Sequence, residues 1–221
     1  MHGYGTDSDE RKVVPLLLAC VAISLAWLSS QLFTRFHVSV PWWVDAPSLM
    51  AVYGTLYTLF DRYLWRNDLV SKLGLVKVPN LAGLWYGYLR SSFDGHGRKY
   101  PVVINIFQSW TQITVYLTAT TSMSRSCAAV IQVGDPEGVA LIYQYQNQPL
   151  ADAMKTMHVH YGTAMLRVAS DGSLVGDYYA GRDRRTFGRI CCRRQVSSPT
   201  AALEFLRVLH AAEYFRRATS R

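Results

Sequence analysis

Apolar positions in this chain follow two rhythms, and the change between them falls near residue 64. Residues 13–33, VVPLLLACVAISLAWLSSQLF, carry no charged side chain, and a run of that length crosses a bilayer as a helix. Residues 46–60, APSLMAVYGTLYTLF, are also uncharged, and 40–44 extend them backwards through Trp42 and Trp43, with Asp45 and Asp61 as brackets. This second run is shorter and more polar, yet it reads as a second membrane helix that returns the chain. Trp42, Trp43, Tyr63 and Trp65 sit where interfacial aromatic belts are found. A buried helix explains the second run tolerably, but not the first beside it. A cleaved signal peptide has a shorter apolar core and a small-x-small site ahead of a polar start, and neither feature is present.

From Pro79 onward the rhythm is short and β-like, broken by turn residues. Eight strands are expected, at about 81–90, 101–108, 111–119, 124–133, 139–147, 157–168, 173–180 and 185–194. The intervening segments at 94–97, 109–110, 134–138, 170–172 and 181–183 have turn chemistry. Short strands in hairpin succession predict an up-and-down antiparallel barrel, with a two-sheet sandwich as the alternative. Gly83, Gly87, Gly162, Gly176 and Gly188 fall inside strands, where glycine marks a bend, a bulge or a close backbone approach. Gly83-Leu84-Trp85 is similar to the G-x-W of lipocalins, whose tryptophan closes a barrel floor. A helix follows at 197–221: Ser198-Pro199 is a cap and first-turn pair, and Phe205, Val208, Leu209, Ala212 and Phe215 form one apolar stripe.

The expected architecture is therefore a tail (1–12), a two-helix membrane hairpin (13–63), a linker (64–78), a barrel (79–196) and an amphipathic helix (197–221). A length of 221 residues leaves room for one soluble domain beside the membrane segment, and 13% aromatic residues with fourteen tyrosines favour β structure. Arg11 and Lys12 precede the first span; Arg62, Arg66, Lys72 and Lys77 follow the second; the connection holds only Arg35 and His37. The positive-inside rule then places both termini and the barrel in the cytoplasm.

The net charge is +8, and from residue 81 onward sixteen basic residues stand against nine acidic ones. Arg182, Arg184, Arg185, Arg189, Arg193 and Arg194 form the densest block. Such a block attracts phosphate or anionic headgroups, or is simply the outer face of a strand. The four cysteines lack the spacing of a disulfide or zinc framework, so reduced thiols and no metal are expected. No nucleophile elbow, P-loop or zinc-protease helix appears, and an enzyme is not expected. His158 and His160 share a face of one strand, but no third ligand accompanies them.

One-face alternation gives the candidate binding residues. Tyr143, Tyr145 and Asn147 share a face; so do His158, His160 and Gly162, and Leu174, Gly176 and Tyr178. If Trp85 and Gly87 mark the lumen, these are lumen neighbours. Arg182, Arg184 and Thr186 stand at a hairpin mouth, where arginines suit phosphate. The candidate site is therefore Tyr143, Tyr145, Asn147, His160, Tyr178, Arg182, Arg184 and Thr186. The opposing reading is that the tyrosines only fill a small barrel's core.

The ordered segments GLWYGYLRSS, QSWTQITVYLTATTSMSRS, YQYQNQP, HYGTAML and LVGDYYAGRDRRTFGRI, preceded by two apolar runs, resemble the two-transmembrane, β-strand-rich effectors of CBASS antiphage operons. The resemblance covers essentially the whole chain. It implies a multi-pass protein of the bacterial inner membrane whose cytoplasmic eight-stranded barrel senses a cyclic dinucleotide made by a partner nucleotidyltransferase. It also implies self-association on activation, membrane disruption and cell death, with no nucleic acid polymer as partner. Two other classes stay open from the residues alone: a membrane-anchored lipocalin-like carrier of an apolar ligand, and a scaffold with a filled barrel.

Overall fold

A computed structural model describes residues 1–37, 42–155, 157–181 and 184–195. The expected helix over 197–221 and Arg182 lie outside the described residues. The chain divides into two compact units. One comprises Ser8–Pro79 with Ser109–Thr111; the other comprises Met1–Asp7, Asn80–Gln108 and the described residues from Gln112 onward.

The first unit contains helices α1 (Glu10–Arg35), α2 (Trp42–Arg62) and α3 (Asp68–Lys72). In α1, Leu16, Ile23, Trp27 and Leu28 are each more than half exposed, the reverse of a soluble core helix. Its hydroxyls fold back on their own helix: Ser24 Oγ donates to the Cys20 carbonyl at 2.9 Å and Thr34 Oγ1 to that of Ser30 at 2.9 Å. This satisfies polar groups where lipid offers no partner. In α2, Thr55 and Thr58 do the same toward Ala51 and Gly54. Among the described residues α1 is the one helix long and apolar enough to cross a membrane. The expectation of two such helices is met only in part, because α2 carries Asp45, Asp61 and Arg62 with several hydroxyls in its 21 residues. The start of α1 and the end of α2 meet in a buried cluster of Val14, Phe60, Trp65, Val76 and Trp110.

The second unit is a closed barrel. Strands β3 (Gly83–Ser91), β4 (Tyr100–Gln108), β5 (Gln112–Ala119), β6 (Ser122–Gln132), β7 (Ala140–Pro149), β8 (His160–Val168), β9 (Leu174–Ala180) and β10 (Phe187–Arg194) pair antiparallel in sequence. The first and last close the ring, with Gly188–Arg194 opposite Ser91–Trp85. The period-2 pattern explains the lumen: Val102, Ile104 and Ile106 on β4, Ile113 and Val115 on β5 and Leu141 on β7 are at most 1% exposed. Trp85 is buried too, its Nε1–H donating to the Leu81 carbonyl at 3.0 Å.

Small residues permit the tight curvature. A Cβ on Gly87, Gly176 or Gly188 would overlap the carbonyl of Cys191, Met165 or Arg90 across the strand pair, so only glycine lets those backbones approach.

The ring has one weak seam, and the N-terminus fills it. β5 and β6 pair only over Tyr116–Thr118 and Met123–Arg125. Beyond that, β1 (His2–Gly3) pairs with Gln112 and Ile113, and β2 (Gly5–Thr6) pairs with Val130 and Ile131. Tyr4 between them is buried. Ser126 Oγ accepts from the Val115 N–H at 2.9 Å and lies 2.7 Å from His2 Nε2. The Asp7 carboxylate accepts from Val133 N–H at 2.8 Å and Gly134 N–H at 3.0 Å. Residues expected only as a tail are thus part of the sheet.

Candidate functional site

A cavity of about 230 Å³ occupies one end of the barrel. Its walls come from the strand ends nearest the turns after β3, β5, β7 and β9. Tyr143, Tyr145, Asn147, His160, Tyr178, Arg184 and Thr186 all line this one cavity. The structure thus brings together every described residue of the expected site; Arg182 lies outside the described residues.

Each tyrosine is seated by what stands opposite it. In register, Tyr143 faces Ala164 and Tyr145 faces Gly162 on β8, while Tyr178 faces Gly188 on β10. A Cβ on Gly162 would overlap the Tyr145 ring. The Tyr143 and Tyr145 rings lie 6.1 Å apart, centroid to centroid, tilted at 53°. Wall and core are therefore the same residues here.

Burial governs the local electrostatics. Desolvation holds the Tyr143 phenol far above its ordinary range, with Tyr145 adding. Desolvation also raises Tyr145, with Tyr178 adding and the Arg184 guanidinium opposing. Tyr178 is raised by burial, against its hydrogen bond with Ser91 and the pull of Arg184. These phenols are neutral donors at physiological pH. The Cys192 thiol, deeper in the lumen, is pushed up to about 12 by burial.

Arg184 is the one residue of fixed charge among the described lining residues, with its guanidinium carbon 5.5 Å from the Phe93 ring centroid. His160 Nδ1 lies 2.9 Å from the His158 carbonyl; a carbonyl only accepts, so Nδ1 carries the proton. Asn147 Nδ2 approaches Met157 Sδ at 3.3 Å, and Met157 and Ala153 from the β7–β8 connection join the lining.

Sequence reasoning missed a hydroxyl wall. Thr120, Thr121, Ser122 and Ser124 line the cavity from the β5–β6 hairpin. The signal is present in the one-face alternation Ser122, Ser124, Ser126, but the expected strand begins only at 124, which leaves Ser122 outside it and assigns none of these serines to the site. The remaining arginines scatter: Arg189 and Arg193 lie on the outer parity of β10, and Arg193 pairs with Asp171 at 3.2 Å. Arg194 donates to the Ala82 carbonyl and lies over the Trp85 ring. Among the described residues no group of His, Cys, Asp and Glu could hold a metal ion.

Residues 76–194 match the family model described as the Cap15 cyclic dinucleotide receptor domain. The chain belongs to the Cap15 family. Residues 12–66 match the companion model for the Cap15 TM helices, a range that includes α2 and all but the first two residues of α1. A relative from Yersinia aleksiciae, CD-NTase-associated protein 15, is 30% identical over 188 residues, covering 82% of this chain and 88% of its own. The resemblance to CBASS membrane effectors therefore holds: Cap15-type membrane helices precede a Cap15-type receptor barrel.

Proposed function

We propose that this chain is a CBASS effector whose barrel binds a cyclic dinucleotide in the end cavity and, once occupied, self-associates and breaches the inner membrane. The observation that carries this reading is the convergence of three tyrosines, His160, Asn147, Thr186 and Arg184 on one cavity within a receptor-family barrel. A cyclic dinucleotide presents anionic phosphates and flat bases. Arg184 suits a phosphate, the Tyr145 and Tyr178 rings suit stacking, and the neutral phenols, Asn147 and His160 suit base edges. The ligand supplies only occupancy; no catalytic step is proposed.

The proposal includes two membrane crossings with both termini in the cytoplasm. Support comes from the unit that holds both Met1–Asp7 and the barrel strands. A chain that leaves this unit through α1 must cross back before Asn80, and the start of α1 and the end of α2 share one cluster. The basic flanks set the sign of the orientation.

A second reading keeps one observation on its side. A lining with a single fixed charge also suits an apolar cargo, as in a lipocalin-like carrier. One experiment separates the two. The full chain is purified in detergent and melted with 3′,3′-cyclic dinucleotides of varied bases, or with a long-chain fatty acid, and dye-loaded liposomes bearing the protein are then exposed to the same compounds. A rise in melting temperature and dye release with a cyclic dinucleotide support the effector. A rise with the fatty acid alone, without release, supports the carrier.

A further inference from the structure

The turn Ser109–Thr111 joins β4 to β5, yet it clusters with the helices. Trp110 is 1% exposed. Its ring stands edge-on to Phe60 at 5.0 Å and to Tyr57 at 6.2 Å between centroids. The Arg11 guanidinium carbon lies 4.7 Å from the indole centroid.

Two carboxylates hold this turn. Glu10, the first residue of α1 and buried, accepts from Trp110 Nε1–H at 2.8 Å through Oε1. Its Oε2 accepts from the Lys77 and Val78 N–H groups at 2.6 and 3.2 Å, where the chain approaches the barrel. Asp61, the penultimate residue of α2, accepts through Oδ1 from the Thr111 N–H and hydroxyl, both at 2.7 Å, and from Ser109 Oγ at 3.1 Å. The Asp61 carbonyl accepts from the Trp110 N–H at 3.0 Å. The start of one helix and the end of the other are thus fastened to one turn. The β8–β9 turn closes on its own backbone, Gly172 N–H to the Ala169 carbonyl, and the β6–β7 turn adds to its own closure, Gly138 N–H to the Asp135 carbonyl, the bonds to the Asp7 carboxylate; neither takes a bond from a residue of α1 or α2 among those described.

We infer that the 109–111 turn is the transmission element of the protein: Glu10, Asp61 and Trp110 lock it to both helices, so that a change at the cavity end of the β4–β5 hairpin reaches them. The inference rests on the effector reading. Its mechanical basis is continuity. Tyr100 on β4 and Leu117 and Ala119 on β5 line the cavity, and the same two strands run without a break to the turn. Close-packed strands transmit displacement rather than absorbing it. Hydrogen bonds to ionised carboxylates are about twice as strong as neutral ones, so the fastening resists slippage. Glu10, Asp61 and Trp110 are coupling residues; none of them lines the cavity.

The test uses the full chain and the cyclic dinucleotide that raises the wild-type melting temperature most. Asp61→Asn and Glu10→Gln keep shape and remove charge; Trp110→Phe keeps an aromatic plug and removes the indole donor. Each variant is melted with and without that ligand and assayed for dye release from liposomes. Binding should stay within about twofold of wild type while ligand-triggered release falls at least about tenfold, the loss expected for one hydrogen bond to a charged group. Wild-type release in Asp61→Asn overturns the inference, as does a parallel loss of binding and release. Should Trp110→Phe unfold, Asp61→Asn decides. A wild-type protein that neither binds nor leaks with any cyclic dinucleotide removes the effector reading itself, and the inference falls with it.

Discussion

Arg184 and the cavity tyrosines Tyr143, Tyr145 and Tyr178 carry different loads, although all line the same space. Arg184 is half-buried beside Phe93, so Arg184→Ala should leave the ligand-free melting temperature near wild type. It should weaken cyclic dinucleotide binding by roughly ten- to a hundredfold, the worth of a hydrogen bond to a charged group of about 1.5–3 kcal/mol, as read by titration calorimetry. Tyr145 is both wall and core, packed on Gly162 and Tyr143. Tyr145→Ala should therefore cost about 3–5 kcal/mol of stability, in the range of buried aromatic truncations, and also abolish the ligand-induced rise. Unchanged melting in that variant would show that the ring is not packed. The buried phenols also set an alkaline limit. Burial raises Tyr143, Tyr145 and Tyr178, and Cys192 from its ordinary 9.0 to about 12. In the unfolded chain these groups lose protons at about 9–10, while the folded barrel keeps them. The unfolded state then binds fewer protons, so stability falls as pH rises. Urea midpoints should be flat from about pH 6 to 8 and drop beyond about pH 9–10; a midpoint that holds through pH 11 would contradict the burial of these groups.

At the scale of elements, the barrel depends on two features that a strand pattern hides. The first is close backbone approach. Gly176→Ala, whose Cβ would overlap the Met165 carbonyl, should destabilise the barrel by about 1–3 kcal/mol or more, as overpacking does. The second is the N-terminal pair of strands in the β5–β6 seam. Tyr4→Ala removes a buried side chain worth about 2 kcal/mol, and the melting midpoint of the full chain should fall by several degrees. A fragment that begins near Val78 lacks these strands and leaves the edges of β5 and β6 uncovered, so it should be less stable than the same barrel in the intact chain. Equal stability would show that the seam closes without them.

For the whole molecule, the pairing of residues 2–6 with the barrel constrains how the chain meets a membrane. Both ends of the helical segment belong to one compact unit, which supports the proposed even number of crossings. A phosphatase active only in the periplasm should stay inactive when fused after Arg221 and become active when inserted after His37. Activity at Arg221 would mean that α2, more polar than α1, does not return the chain.

Much of this protein was legible in its sequence because its signals are local. The uncharged run at 13–33 needs no partner to declare a membrane helix. Period-2 alternation placed all eight barrel strands within a few residues, and Tyr143, Tyr145, Asn147, His160 and Tyr178 fell on the lumen side because parity alone decides side-chain direction in a strand. What alternation could not give is which strands are neighbours and how close they come. That Tyr145 lies across Gly162, that Ser122 and Ser124 join the cavity wall, and that Arg194 turns to Trp85 instead of the cavity are consequences of register and closure. The five residues His2–Thr6 are too short for any periodicity, and only the gap between β5 and β6 gives them a place. Trp110 read as a turn residue, since its burial depends on Glu10 and Asp61, which are 100 and 49 positions away in the sequence. Contacts of that span exist only once the chain has folded.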